Sequence, residues 1–173
     1  SEESFITEMA ARYLNAIYCE EEQIRAWYEQ GAAQSALPTA SFQPSFEWDS
    51  VIIDEHVFTL YPFTKKSLIT LFHNLKERKP RHFLDAVIRQ LFRQFASGMD
   101  DNFWDFPDLP PNIASIPMNT TYASSVEQSQ LQDTDKRRLK TLLAVWGDGT
   151  SKADDRSIGN VPKEFLAEIG LKS

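Results

Sequence analysis

YPFTKKSLITLFHNLKERKPRHFLDAVIRQLFRQFA, residues 61–96, contains two amphipathic patterns joined by a short basic turn. Leu68, Leu71, Phe72 and Leu75 recur at helical spacing on one face of the first pattern. Thr64 is placed to cap it, with Ser67 at the third position giving a partial capping box. Pro80 is expected to stop this helix and to open the next, because a first-turn residue needs no N–H donor. In the second pattern Phe83, Leu84, Val87, Ile88, Leu91, Phe92 and Phe95 form a stripe too wide for a lone surface helix. That width predicts the central core helix, ending at Ser97-Gly98. Arg81, Asp85, Arg89 and Arg93 recur at steps of four along its opposite side.

Outward from this hairpin, residues 3–30 read as helix on Ile6, Ala10, Tyr13, Leu14 and Ile17, with a second register at Ile24, Trp27 and Tyr28. The Glu20-Glu21-Glu22 run predicts a kink or break between them, so one bent helix or two are expected, with Gly31 ending the segment. Residues 32–49 read as a loop pinned by Phe46 and Trp48. A short strand or extended segment is expected over 51–60, and Tyr61, before Pro62, is expected to be extended. Residues 99–122 hold Pro107, Pro110, Pro111 and Pro117 among Phe103, Trp104, Phe106 and Ile113. So many large apolar anchors predict an ordered strap, not a flexible tether. Asp133-Thr134-Asp135 opens a helix on Leu139, Leu142, Leu143 and Trp146, closed by Gly147-Asp148-Gly149. A polar loop over 151–160 precedes a last short helix on Phe165, Leu166 and Ile169.

The fold class expected is mainly α: an orthogonal, lid-like helical bundle with a long proline-rich strap and at most one short strand pair. A helical domain is expected over residues 1–130, with its central hairpin at 62–97 and its strap at 99–130. A small helical subdomain over 131–173 is expected to pack on it.

The chain has 173 residues and 42% apolar residues, enough for a sizeable core. No apolar run reaches the roughly 18 residues of a membrane helix. The single cysteine, Cys19, forms no internal disulfide and fits a reducing cytoplasm, the expected location. An initial Ser followed by no signal-like region predicts an excised or trimmed piece.

The net charge of −7 is uneven. Residues 1–63 carry 11 acidic and 2 basic residues, 64–95 carry 2 and 8, and 96–135 carry 7 and none. Either the acidic neighbours neutralise the central basic island, or it faces the phosphates of a nucleotide or nucleic acid. A self-contained active site is not legible. There is no GxxxxGK[ST], HExxH, CxxC or GxSxG motif, and His56, His73 and His82 are scattered. The chain is therefore expected not to be an enzyme, and no catalytic or metal-ligating residue is assigned. Arg81 is the one binding candidate, with Lys79 and Arg89 as further phosphate or nucleic-acid contacts. The competing expectation is that Asp85 pairs with Arg81 and Arg89 at four-residue spacing.

The run LYPFTKKSLITLFHNLKERKPRHFLDAVIRQLF resembles the helical region that follows the nucleotide-binding core of large bacterial P-loop ATPases. It is similar to an AAA-type lid, in which a Pro-Arg pair opens a helix and the arginine, here Arg81, turns toward the nucleotide as a sensor. The likeness is greatest to ATPases of DNA restriction-modification systems, including the phosphorothioation-dependent type, and LLAVWGDGT at 142–150 fits the same pattern. The resemblance implies an accessory module of a larger ATPase in bacterial DNA processing or phage defence. The fragment would hold no cofactor, and the parent would use ATP with magnesium. Its partner would be the parent's P-loop core, with DNA engaged indirectly and no membrane. The alternative is a helical adaptor that docks a protein or DNA through the basic hairpin.

Overall fold

Helices dominate, as the periodicity predicts, in the computed structural model, which describes residues 1–19, 21–33 and 38–171. The chain forms two units, Ser1–Leu68 and Ile69–Ser173. The expected boundary near residue 130 is not where the chain divides. The reason lies in the strap, whose Phe106 ring packs on Phe95, Trp146 and Phe165 and so ties the strap and the last helices into one core.

In the first unit α1 (Glu2–Tyr18) ends at Cys19, and α2 (Glu21–Glu29) follows, so the expected break gives two helices. Glu20 of the glutamate run lies outside the described residues, as do the side chains of Glu21, Glu22 and Ile24. The buried face of α1, with Ile6, Ala10 and Leu14, packs against β1 (Ser50–Ile53) and β2 (His56–Thr59). These strands form an antiparallel hairpin in which Val51 opposes Phe58 and Ile52 opposes Val57. Its tight turn places Asp54 and Glu55 at φ 49° and 70°, the left-handed region two-residue hairpin turns require. Asp-Glu carries no such turn signal, so the sequence marks the extended stretch over 51–60 without marking its turn.

Loop 38–49 is held where the aromatics predict. Trp48 and Phe46 meet the Tyr61 ring edge-on, and Trp48 Nε1 donates to the Phe63 carbonyl at 2.7 Å. Buried Asn15 donates to the Pro38 carbonyl and accepts from the Ala40 N–H, each at 2.8 Å. The Tyr61–Pro62 peptide is cis.

The chain divides within α3 (Lys65–His73). Its start is a reciprocal box, fuller than the expected partial one. The Ser67 N–H donates to Thr64 Oγ1 at 3.0 Å, and the Thr64 N–H donates to Ser67 Oγ at 2.8 Å. Ser67 thus does the work usually given to Glu. The helix stops at His73, before Pro80. Leu75 instead bridges to Ile113 of the strap, and the Lys76 N–H donates to the Asn112 carbonyl at 2.9 Å.

In the second unit Pro80 does open the next helix: α4 (Pro80–Phe83), a π-helical turn (Leu84–Ile88) and α5 (Arg89–Asp101) run on without a gap. The i→i+5 bond from the Arg89 N–H to the Leu84 carbonyl marks the π turn. Phe83, Val87, Ile88, Leu91 and Phe95 are buried, while Leu84 and Phe92 are only half-buried. The helix passes through Ser97-Gly98 to Asn102, a left-handed cap at φ 55°. Gly98 is not a stop: a Cβ there would lie 2.2 Å from Trp104 Cε3, so the glycine admits the indole.

The strap carries α6 (Thr120–Glu127), which the sequence reading did not anticipate, capped by Asn119. α7 (Asp133–Val145) and α8 (Lys163–Glu168) lie where periodicity places them. The polar loop between them contains a second small pair, β3 (Ser157–Ile158) and β4 (Val161–Pro162). Its turns are held by carboxylates. Asp148 Oδ1 accepts from Thr150 Oγ1 at 2.7 Å and from the Thr150 N–H at 2.9 Å. Asp154 Oδ1 accepts from the Arg156 and Ser157 N–H groups at 2.8 Å each.

Leu91→Ala is expected to cost about 2–5 kcal/mol in urea unfolding. Half-buried Leu84→Ala should cost less, and exposed Arg93→Ala under about 0.5 kcal/mol. Equal unfolding midpoints would contradict this assignment of the core.

The bonds from Thr150 to Asp148, and from Arg156 and Ser157 to Asp154, hold both carboxyls below the usual range. Their stabilising effect is therefore present above an ordinary aspartate pKa of about 3.9 and lost as pH falls through the depressed folded values. Acid titration of the Asp148→Asn, Asp154→Asn double variant should show a shallower loss of stability below about pH 4 than the wild type.

Candidate functional site

The turn between α3 and α4 contains Arg78 and Lys79 and leads directly into Arg81. Arg78 Nη2 donates to the His73 carbonyl at 3.0 Å, so this guanidinium closes the end of α3. Lys79, the residue before α4, forms an exposed ion pair with Glu77 at 2.7 Å. Their hydrogen bond holds the Glu77 carboxyl below and the Lys79 ammonium above its usual value. Arg81 stands exposed in the first turn of α4, and no side chain caps that turn.

The expected pairing of Asp85 with Arg81 and Arg89 is absent among the described residues. The π turn falls between these positions and interrupts the four-residue ladder that would have aligned them. Arg81, Arg89 and Arg93 are all exposed, and none has an ion-pair partner among the described residues.

The acidic strap does not neutralise them either. Asp108 pairs with Arg137 at 3.3 Å and Glu127 with Lys140, while Asp135 of α7 pairs with Arg138 of the same helix at 3.0 Å. The strap's ion pairs thus go to α7. Of the histidines, His82 Nε2 lies 3.3 Å from Asn112 Nδ2 and His56 meets Phe58 edge-on. Among the described residues no group of three His, Cys, Asp or Glu could hold a metal ion. Burial pushes the Cys19 thiol up, away from the reactive thiolate form.

Sequence reasoning missed a second centre in this unit. Arg138 is 1% exposed, yet its guanidinium is satisfied: Nε donates to the Phe106 carbonyl at 2.6 Å, Nη1 to Asp135 and Nη2 to the Ile169 carbonyl. Trp104 covers one face, its ring centroid 5.7 Å from Cζ. Burial lowers this group's pKa and the Asp135 carboxylate opposes that shift. Gly170 faces the same indole, since at φ 78° a Cβ would lie 2.7 Å from Trp104 Cδ1. Arg138 sits in a Lys-Arg-Arg run, and nothing in that run marks the buried member.

Arg138 forms part of the wall of a cleft of about 710 Å³, where the end of α5, the start of α7 and the end of α8 converge. Phe103, Leu131, Thr134, Ala167 and Glu168 also line it.

The chain matches no family model, no curated protein and no solved structure. Among the described residues no helix is long and apolar enough to cross a membrane.

Arg138→Ala is expected to destabilise the protein by about 3–5 kcal/mol, since it strands Asp135 and two buried carbonyls. Arg138→Lys should recover only part, because one ammonium cannot reproduce the planar fork. Gly98→Ala should cost about 1–3 kcal/mol by forcing Trp104 aside. Chemical denaturation of the three variants tests the node; wild-type stability in Arg138→Ala would refute it.

Proposed function

We propose that this chain is a non-catalytic, lid-like accessory module of a larger nucleotide-dependent protein acting in bacterial DNA processing or defence. In this reading Arg81 meets a phosphate of the ATP–magnesium complex held by the parent's P-loop core. Arg89 adds to the positive charge of the same helix, and Lys79 joins it on exchanging its Glu77 partner for phosphate. The observation that carries the proposal is the state of Arg81: exposed, without an ion-pair partner among the described residues, in the first turn of a helix that no side chain caps. An uncapped helix start offers backbone N–H groups and positive dipole to the same anion the guanidinium would hold. The Pro-Arg start and the resemblance to ATPase lids supply the nucleotide as that anion.

A second reading, an adaptor for DNA or an acidic partner, is favoured by Arg89 and Arg93, which are also exposed and without an ion-pair partner among the described residues. Two or three phosphate contacts give weak binding that falls steeply with salt.

Alone, the chain should bind ATP more weakly than about 1 mM, because it offers contacts without a phosphate cradle. In the full-length protein Arg81→Ala should lower ATP turnover at least roughly tenfold without changing thermal stability, and Arg81→Lys should rescue it in part. Wild-type turnover in a folded Arg81→Ala protein would overturn the lid reading. Duplex-DNA binding that survives at about 0.2 M salt and vanishes on reversing the charge of Arg81, Arg89 and Arg93 would install the adaptor instead.

A further inference from the structure

Exposed carboxylates lie at and near the cleft beside Arg138, and of these Asp105 already acts on the Arg138 charge. Glu168 lines it, and Asp101, Asp105 and Asp133 each adjoin a lining residue in sequence. With Asp100 these are five exposed carboxylates, and none has an ion-pair partner among the described residues. The one cation in the wall, Arg138, is buried and already engaged by Asp135 and two carbonyls.

Helix ends deepen the negative field. The last turn of α5 contains Asp100 and Asp101 and no basic residue, and α8 ends on Glu168, again with no basic residue. Carboxylates at the negative end of a helix dipole are unfavourable by themselves. Apolar surface opens into the same cleft: Phe103 is 74% exposed, beside Leu131 and Ala167. An exposed aromatic ring beside the Glu168 carboxylate offers a partner both an apolar anchor and a negative charge.

We propose that this cleft docks a basic segment of a partner protein, one carrying lysine or arginine side chains beside aliphatic ones. The aliphatic side chains cover Phe103, Leu131 and Ala167. The cationic ends reach Glu168 and the carboxylates at the end of α5, where they also complement the helix dipole. Anionic ligands are disfavoured because the open carboxylates outnumber the single, internally paired arginine. The proposal is independent of the nucleotide reading, since Arg81 and its neighbours take no part in it.

The probe is a short peptide of alternating lysine and leucine, titrated into the intact chain and followed through backbone amide shifts. A control peptide carries glutamate in place of lysine. The lysine peptide should move the amides of Phe103, Trp104, Ala167 and Gly170. Its affinity should fall about tenfold in Phe103→Ser and again in Glu168→Lys, each loss corresponding to about 1.4 kcal/mol. Both positions are exposed, so the variants should melt with the wild type, and Arg81→Ala should bind the peptide normally. Binding should also weaken as salt rises from about 0.05 to 0.5 M. Unchanged affinity in both cleft variants, equal binding of the glutamate peptide, or shifts confined to other surfaces would overturn the proposal. So would a dimer of this chain that Glu168→Lys dissociates, since a second copy would then fill the cleft.

Discussion

The buried guanidinium of Arg138 is the constraint around which the second unit is arranged. A charge removed from water is tolerated only where its donors are met, and here three separate parts of the chain meet them: the Phe106 carbonyl in the strap, Asp135 in α7 and the Ile169 carbonyl after α8. Neither carbonyl belongs to α7, so the bonds are made only when the strap and the chain end arrive together. Trp104 then closes over the cation, and two glycines without side chains let the indole lie close. The strap is ordered because its residues complete this node and fill the core beside it.

Phe106 supplies the apolar counterpart. Its ring meets Phe95, Trp146 and Phe165 in edge-on contacts, bringing α5, α7 and α8 to one point, while its own carbonyl receives the Arg138 Nε–H. One residue therefore serves the aromatic core through its side chain and the cation through its backbone. This coupling explains why a proline-rich segment belongs to the same unit as the helices that follow it.

The same pairing pattern decides which charges face outward. Arg137 and Lys140 of α7 take up Asp108 and Glu127 of the strap, and Arg138 takes up Asp135 of its own helix, while Asp100, Asp101 and Asp105 form no ion pair among the described residues. What remains exposed without an ion-pair partner among the described residues is Arg81, Arg89 and Arg93 on the one hand and Asp100, Asp101, Asp133 and Glu168 on the other.

Much of the secondary structure was determined by sequence alone, because periodicity is a local property. The buried faces of α1, α3, α5, α7 and α8 repeat at helical spacing, and Thr64, Pro80 and Asp133 mark starts that neighbouring residues suffice to define. The mainly helical class follows from them, as does the pinning of loop 38–49 by Phe46 and Trp48. The candidate site was half legible: Pro80-Arg81 is visible as a motif, but whether Arg81 pairs with Asp85 depends on a π turn that no residue type announces. Only the tertiary structure decided that Gly98 is a seat for an indole, that Arg138 and not Arg137 is buried, and that strap and last helices share a core. These outcomes rest on contacts between side chains and carbonyls from separate elements, over thirty positions apart for the Arg138 bonds, and a local pattern carries no record of which carbonyl or ring will arrive.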